Sequence, residues 1–199
     1  MRVAAHAPLL LVLHGGGGAG METLTDRGFN RRADESGVVV VYPEGVGRRW
    51  NDGRVGAGAA DHEIDDVGDL RALVASLAQR YSIDAERVFV VGMSNGGMMS
   101  LRLACETADV FRGFVAVAAS LGEALAGRCQ PSAPRPVALI AGSADPVVPW
   151  AGGEVAVLGL SRGRVIGAEA SFAAFRALAG CGACSRNHRS TASPTTARW

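Results

Sequence analysis

The chain has 199 residues, of which 48% are hydrophobic and 20% are charged, and its formal net charge is +1. This length predicts one domain with a substantial core, and the mixed charges do not indicate nucleic-acid binding or a basic membrane-binding surface. No apolar run approaches the ~20 residues that span a bilayer. Four glycines, rather than a cleavage site, follow the apolar residues 9–13, so we expect a buried strand there and no signal peptide in this chain.

Apolar runs and amphipathic segments alternate along the chain. The predicted strands are residues 9–13, 38–42, 87–91, 113–118 and 137–141, and the predicted helices are residues 24–36, 65–81, 95–105 and 167–178. Residues 44–64 are rich in glycine and predict a long loop. Apolar strands that alternate with helices predict an α/β fold, with a mostly parallel sheet covered by helices on both faces.

Ser94 stands between two glycines in the sequence Gly-Met-Ser-Asn-Gly of residues 92–96, directly after the apolar residues 88–91. A serine between a buried strand and a helix, flanked in this way, is typical of a nucleophile elbow. The turn is too tight for neighbouring side chains, and it lifts the serine hydroxyl clear of the sheet. The first amide of the following helix, that of Asn95, would then face a developing oxyanion.

A second set of oxyanion donors is expected from the loop that follows the first strand. That loop begins with His14, and Gly15, Gly16 and Gly17 follow it, which matches the His-Gly-Gly-Gly type of esterase loop. Glycines let the backbone approach a substrate and direct amides at its charge. The alternative is a phosphate-binding loop, but the segment lacks a Gly-Lys-Ser/Thr ending and the glycine spacing of a dinucleotide site.

A serine nucleophile also needs a base and an acid that orients the base, in the chain order serine, acid, histidine. Asp145 follows the fifth predicted strand and fits the acid, although an aspartate before a proline is also a common turn residue. Only His188 follows Asp145, and it lies in a segment without predicted structure. His6, His14 and His62 precede the serine, so the chain is predicted to lack its general base.

The four cysteines, Cys105, Cys129, Cys181 and Cys184, permit three full pairings, and the residues alone do not select one. Cys181 and Cys184 have the spacing of a redox or zinc pair. Because a structural zinc site needs a second pair of ligands, we expect an incidental pair of thiols and no metal. No cofactor is expected either.

Taken together, these motifs resemble the secreted polyhydroxybutyrate depolymerase and feruloyl or acetylxylan esterase family of α/β-hydrolases. The resemblance extends from about residue 8 to residue 182. It is carried by residues 8–16, Val-Tyr-Pro-Glu-Gly at 41–45, Trp-Asn-Asp-Gly at 50–53, residues 65–67, residues 92–99, residues 103–105, Gly-Ser-Ala-Asp-Pro-Val-Val-Pro at 142–149 and Cys-Gly at 181–182. So many ordered matches are more specific than any single motif.

The resemblance implies that Ser94 is the nucleophile and Asp145 the acid, with Asn95 and residues 15–17 as oxyanion donors. It also implies a disulfide between Cys105 and Cys129 and an extracellular location. Trp50 and Asn51 resemble residues of a substrate-pocket wall; the alternative is that they hold the long loop in place.

The chain departs from the family pattern at both ends. The family begins with a signal peptide and further strands, and it continues past Cys181 to a segment that carries the catalytic histidine. We therefore expect an α/β-hydrolase domain over residues 1–182 that lacks the C-terminal strand and helix. Residues 183–199 have the composition of an unfolded segment and are expected to be disordered or the product of a frameshift near residue 183.

The sequence thus predicts a hydrolase of carboxylic esters that acts through an acyl-Ser94 intermediate. Its substrate, small or polymeric, would be a polyhydroxyalkanoate-type ester or a feruloyl or acetyl ester. One alternative is a truncated, inactive protein of the same fold without a base. Another is an acyltransferase, which differs only in the acceptor that reaches the acyl-enzyme. The sequence gives no indication of the oligomeric state.

Overall fold

A parallel five-stranded sheet forms the centre of the molecule in the computed structural model, which describes residues 6–18, 28–56 and 63–181. Its strands are β1 (Ala7–Leu13), β2 (Val39–Val41), β3 (Ile83–Met93), β4 (Gly113–Val117) and β5 (Val137–Ile140). Their order is β2-β1-β3-β4-β5, and every neighbouring pair is parallel. The mostly parallel sheet predicted from the sequence is therefore confirmed.

Five helices accompany these strands in the described part of the chain. They are α1 (Phe29–Ser36), α2 (Asp66–Arg80), α3 (Asn95–Glu106), α4 (Glu123–Ala126) and α5 (Ala168–Leu178), and a short 3-10 turn covers Val46–Arg48. The strand order reverses between β1 and β3, and crossovers between parallel strands are right-handed, so α1 covers one face of the sheet and α2 and α3 cover the other. The carboxyl ends of β1 and β3 meet at this reversal, where α/β proteins place ligands.

The ends of the helices follow local sequence signals. The Asp65 side chain accepts a hydrogen bond of 3.0 Å from the amide of Gly68, which caps α2 at the residue where the sequence predicted its start. Gly37, at a φ of 65°, ends α1 as predicted. The predicted start of α1 at residue 24 lies outside the described residues.

Helix α3 is the most buried helix of the fold. Nine of its twelve residues are buried, so it has almost no solvent-facing side. It packs on β3 and β4, and its side chains join those of β1 and β3 in the core. The N-terminus of α3 is therefore held in a fixed position at the edge of the sheet.

An antiparallel hairpin, β6 (Gly152–Val157) and β7 (Leu160–Ile166), was not predicted from the sequence, which indicated only a loop after the fifth strand. Its turn, Leu158 and Gly159, has positive φ at both residues. Such two-residue turns fit the twist of a hairpin. The amide of Ile166 donates to the carbonyl of Leu121 (2.9 Å), which attaches the hairpin to the segment after β4.

Strand β5 lies at the edge of the described sheet, and Ile140 at its end is 58% exposed. Within the described residues, no helix is both long enough and apolar enough to cross a bilayer.

An ion pair lies on the surface before the amino end of β4, where Arg71 of α2 pairs with Asp109 (2.7 Å). Hydrogen bonding to this guanidinium holds the pKa of the Asp109 carboxyl below its ordinary value.

A disulfide joins Cys105, near the end of α3, to Cys129, with the two Cα atoms 4.8 Å apart. This is the pair that the family resemblance implied. Of the other cysteines, Cys181 is exposed and unpaired within the described residues, and Cys184 lies outside them.

Replacing both Cys105 and Cys129 by alanine is expected to lower the free energy of unfolding by about 3 kcal/mol, because the bridge closes a loop of roughly 25 residues in the unfolded chain. Denaturant unfolding of the two proteins without reductant measures the difference. Cys181→Ala is the matched control and should leave the midpoint unchanged. Equal midpoints for all three proteins would contradict the prediction.

Candidate active site

The turn between β3 and α3 holds Ser94 in an unusual backbone conformation, with φ 53° and ψ −120°. Non-glycine residues rarely adopt positive φ, and such strain is found where the surrounding structure imposes it. Here the amide of Ser94 donates to the carbonyl of Val117 on β4 (2.8 Å), which ties the turn to the next strand. The serine is half-buried at the carboxyl edge of the sheet.

The glycines on either side of Ser94 are required by space. A Cβ atom on Gly92 would overlap the carbonyl oxygen of Gly96, and a Cβ on Gly96 would overlap the carbonyl oxygens of Leu13 and His14. These oxygens belong to the backbone and cannot turn away as a side chain can. The start of α3 therefore lies directly against the end of β1.

The glycine-rich loop after β1 lies beside the serine. A Cβ built on Gly15 would lie 3.6 Å from the Cβ of Ser94, and one on Gly16 would lie 3.5 Å from the Cβ of Asn95. Asn95 is the first residue of α3, where a backbone N–H has no acceptor within the helix. The structure thus brings together, next to Ser94, the two backbone segments that the sequence predicted as oxyanion donors.

Not every amide of this loop is available to a ligand. Gly17 donates its N–H to the carbonyl of Arg48 (2.9 Å), and Gly18 donates to the carbonyl of Gly15 (3.0 Å). Of the three glycines predicted as donors, Gly15 and Gly16 therefore remain as candidates.

His14 is buried, and both of its ring nitrogens are occupied. Nε2 lies 3.0 Å from the amide of Gly45 and must accept its hydrogen, whereas Nδ1 lies 2.8 Å from the carbonyl of Gly15 and must donate. These partners fix the neutral tautomer with hydrogen on Nδ1. His14 therefore has a structural position in the loop and no free nitrogen for base catalysis.

Trp50 and Asn51 join the long loop to its surroundings. The indole Nε1 of Trp50 donates to the carbonyl of His14 (3.0 Å), and its ring lies 4.9 Å from the His14 ring. The Asn51 side chain donates to the carbonyl of Ile64 (2.8 Å), and its amide donates to the carboxylate of Asp66. Both residues are buried and make the contacts expected of loop-holding residues; their role in a pocket wall stays a prediction.

Sequence reasoning missed an ion pair below the serine turn. Asp52 and Arg54 are buried and pair at 2.7 Å, and the Asp52 carboxylate also accepts a hydrogen bond from the Asn95 side chain (2.7 Å). Buried charges are rare unless they are paired. The available signal was two opposite charges, two residues apart, in a glycine-rich loop.

Asp145 lies in the loop after β5, at the same edge of the sheet as Ser94. One of its carboxylate oxygens accepts from the amides of Val147 (2.8 Å) and Val148 (2.9 Å). These bonds form an aspartate turn, as the alternative interpretation expects, and they also fix the direction of the carboxylate. Since β4 lies between β3 and β5, their ends are separated by about 10 Å.

The remaining histidines do not lie at this site in the described structure. His6 is exposed just before β1, at the other end of that strand, and its amide donates to the hydroxyl of Ser82. His62 and His188 lie outside the described residues. Within the ranges that the structure describes, no group of three or more His, Cys, Asp and Glu side chains could hold a metal ion.

Comparisons with known proteins agree with this architecture. The model of the prolyl oligopeptidase family matches residues 31–122. A relative from Nocardia uniformis subsp. tsuyamanensis, named as an esterase, NocK, is 40% identical over 145 residues, which are 73% of this chain and 42% of the relative. Feruloyl esterase B of Piromyces equi is 27% identical over 181 residues, which are 88% of this chain and 33% of the relative. The crystal structure of the Bacillus cereus carboxylesterase superposes with a TM-score of 0.60 at 20% identity, covering 90% of this chain and 77% of that one.

The sheet order, the strained serine turn and these structural neighbours define an α/β-hydrolase fold. The chain is similar in sequence to proteins named as esterases, which agrees with the resemblance to feruloyl esterases. It spans less than half the length of these two relatives.

Gly96→Ala is expected to lower the free energy of unfolding by about 3 kcal/mol, because the new Cβ meets two backbone carbonyl oxygens that cannot move aside. Gly127→Ala is the control, since a Cβ at that glycine meets no atom within 4 Å and its φ of −75° suits any residue. Denaturant unfolding compares the three proteins. If Gly96→Ala were no less stable than Gly127→Ala, the close approach of α3 to β1 would be disproved.

Proposed function

We propose that this chain is a serine hydrolase of carboxylic esters, with Ser94 as its nucleophile. The observation that carries the proposal is the strained conformation of Ser94, at φ 53°, beside the glycine-rich loop. A fold does not need such strain for its own stability, and strain of this kind is concentrated at functional sites. The relationship to named esterases supports the same reaction class.

In the proposed reaction, the Ser94 hydroxyl oxygen attacks the ester carbonyl carbon and loses its proton to a base. The carbonyl oxygen becomes an oxyanion, and the amides of Asn95, Gly15 and Gly16 would stabilise it. Collapse of this intermediate releases the alcohol, which takes up the proton, and leaves an acyl group on Ser94; water then releases the acid. One oxyanion donor contributes ~3 kcal/mol to such a transition state.

Asp145 is proposed as the acid that orients the base. The two amide hydrogen bonds to its first oxygen hold the carboxyl group in place at the edge of the sheet. Oxyanion donors contribute to the rate of such enzymes even without a base. A reactive ester is therefore the most sensitive substrate for detecting hydrolysis.

The proposed substrates are polyhydroxyalkanoate-type, feruloyl or acetyl esters, as the family resemblance implies. An extracellular location is proposed with them. The Cys105–Cys129 disulfide supports it, because such bonds persist in oxidising compartments.

Ser94→Ala is expected to abolish the hydrolysis of p-nitrophenyl acetate above the buffer rate, because no acyl-enzyme can form. Initial rates of wild type and Ser94→Ala test the proposal. Asp109→Asn is a surface control that should keep the wild-type rate. A feeble rate that disappears in Ser94→Ala supports serine chemistry. Equal rates for wild type and Ser94→Ala reject it.

Ser94→Gly is expected to raise the free energy of unfolding by about 1 kcal/mol while removing activity, because glycine adopts the observed φ without strain. Denaturant unfolding measures the change, and Ser100→Gly, at a helical position on α3, is the contrasting variant that should lower stability. A Ser94→Gly protein less stable than wild type would show that the serine conformation costs nothing.

A further inference from the structure

Two separate backbone segments supply the proposed oxyanion donors, and a third segment is bonded to both. This bridge segment, residues 45–54, leads from the end of β2 toward α2. The glycine-rich loop has little stiffness of its own, because glycine is the residue least restricted in backbone conformation. Its position beside Ser94 therefore depends on what holds it from outside.

Four hydrogen bonds join the bridge segment to the glycine-rich loop. Gly45 donates to the His14 ring (3.0 Å), the Trp50 indole donates to the His14 carbonyl (3.0 Å), Arg48 accepts from Gly17 (2.9 Å) and the Arg48 side chain donates to the carbonyl of Gly18 (3.0 Å). The loop is thus held along most of its length.

Three hydrogen bonds join the same segment to the serine turn, and all of them use the Asn95 side chain. Its oxygen accepts from the amide of Trp50 (2.8 Å), and its nitrogen donates to the carbonyl of Trp50 (2.9 Å) and to the carboxylate of Asp52 (2.7 Å). Trp50 is therefore bonded to the glycine-rich loop through its indole and to the serine turn through its backbone.

The Asp52–Arg54 pair supports this connection. Arg54 donates to both carboxylate oxygens of Asp52, through its amide, Nε and Nη2, at 2.7–3.1 Å. The pairing keeps a buried carboxylate available as the acceptor for Asn95. It also fixes the direction of that acceptor, since bidentate pairs have a defined geometry.

We infer that the Asn95 side chain is a positioning group, supported by the Asp52–Arg54 pair. Through its bonds to Trp50, it holds the two sets of proposed oxyanion donors at a fixed separation. The hydrogen bonds of these three side chains join protein groups to one another, so we assign them as positioning residues. The inference rests on the proposed esterase function. A displacement of about 1 Å at such a site costs roughly 100-fold in rate. Loss of the positioning bonds should therefore lower kcat.

Asn95→Ala is the main test, because it removes all three side-chain bonds, changes no charge and keeps the backbone amide of residue 95. The Ser94-dependent kcat for p-nitrophenyl acetate is expected to fall about 10- to 100-fold, with KM within about threefold of wild type, since oxyanion contacts form in the transition state. Asn95→Asp keeps the shape of the side chain but cannot donate to the Trp50 carbonyl or to Asp52, so its kcat should also fall. Asp109→Asn, which changes a surface carboxylate before the amino end of β4, is the control and keeps both constants.

Asp52→Asn is the less direct variant, because it leaves the buried Arg54 guanidinium uncompensated and can unfold the chain. Amide hydrogen exchange of folded Asn95→Ala gives the second readout. Faster exchange is expected at Gly17 and Gly45, whose amides join the glycine-rich loop to the bridge segment and are not bonded to residue 95. Asp109→Asn should leave both amides unchanged.

The outcomes separate the two proposals. A wild-type rate equal to that of Ser94→Ala rejects the esterase function, and hydrogen exchange alone then decides whether Asn95 holds the loop. A Ser94-dependent rate that survives in Asn95→Ala, with kcat within about twofold of wild type, overturns the positioning role. Unchanged exchange at Gly17 and Gly45 in Asn95→Ala overturns it as well.

Discussion

The close contact between the start of α3 and the carboxyl end of β1 determines the geometry of the whole candidate site. Gly96 lies against the carbonyls of Leu13 and His14, at a distance that excludes any side chain. This contact places the serine turn beside the loop that leaves β1. It occurs where the strand order reverses, so two loops that depart in opposite directions begin from adjacent strand ends.

Features with local signals could be predicted from the sequence. The strands β1 and β4 and residues 88–91 of β3 are continuous apolar runs, and α2 begins after its capping aspartate, Asp65. The hairpin β6–β7 could not be predicted, because its turn is Leu158-Gly159 rather than the usual Asn-Gly, and Leu158 is almost fully exposed. Glycines at 152, 153 and 163 also interrupt the alternation that would indicate strands.

In the candidate site, too, some features have a local sequence signal and others do not. The neighbours of Ser94 follow from a known turn geometry, so the sequence predicted that Asn95 and the glycine-rich loop would meet beside it. The role of Asp52 depends on a hydrogen bond to a residue 43 positions further along the chain, which no local pattern encodes. The sequence predicted that Asp145 follows the fifth strand, where it lies, but its turn-forming bonds fit both a turn residue and an oriented acid.

His14 illustrates why a residue type in a motif does not define its chemistry. Its Nε2 accepts a hydrogen bond from the N–H of Gly45. A hydrogen on Nε2 would point at that N–H and remove the bond that holds the loop. A base at this position would therefore disturb the arrangement of the proposed oxyanion donors. The proposed triad needs its imidazole elsewhere. Because β4 separates the ends of β3 and β5 by about 10 Å, that imidazole would have to lie between Ser94 and Asp145 to bond to both.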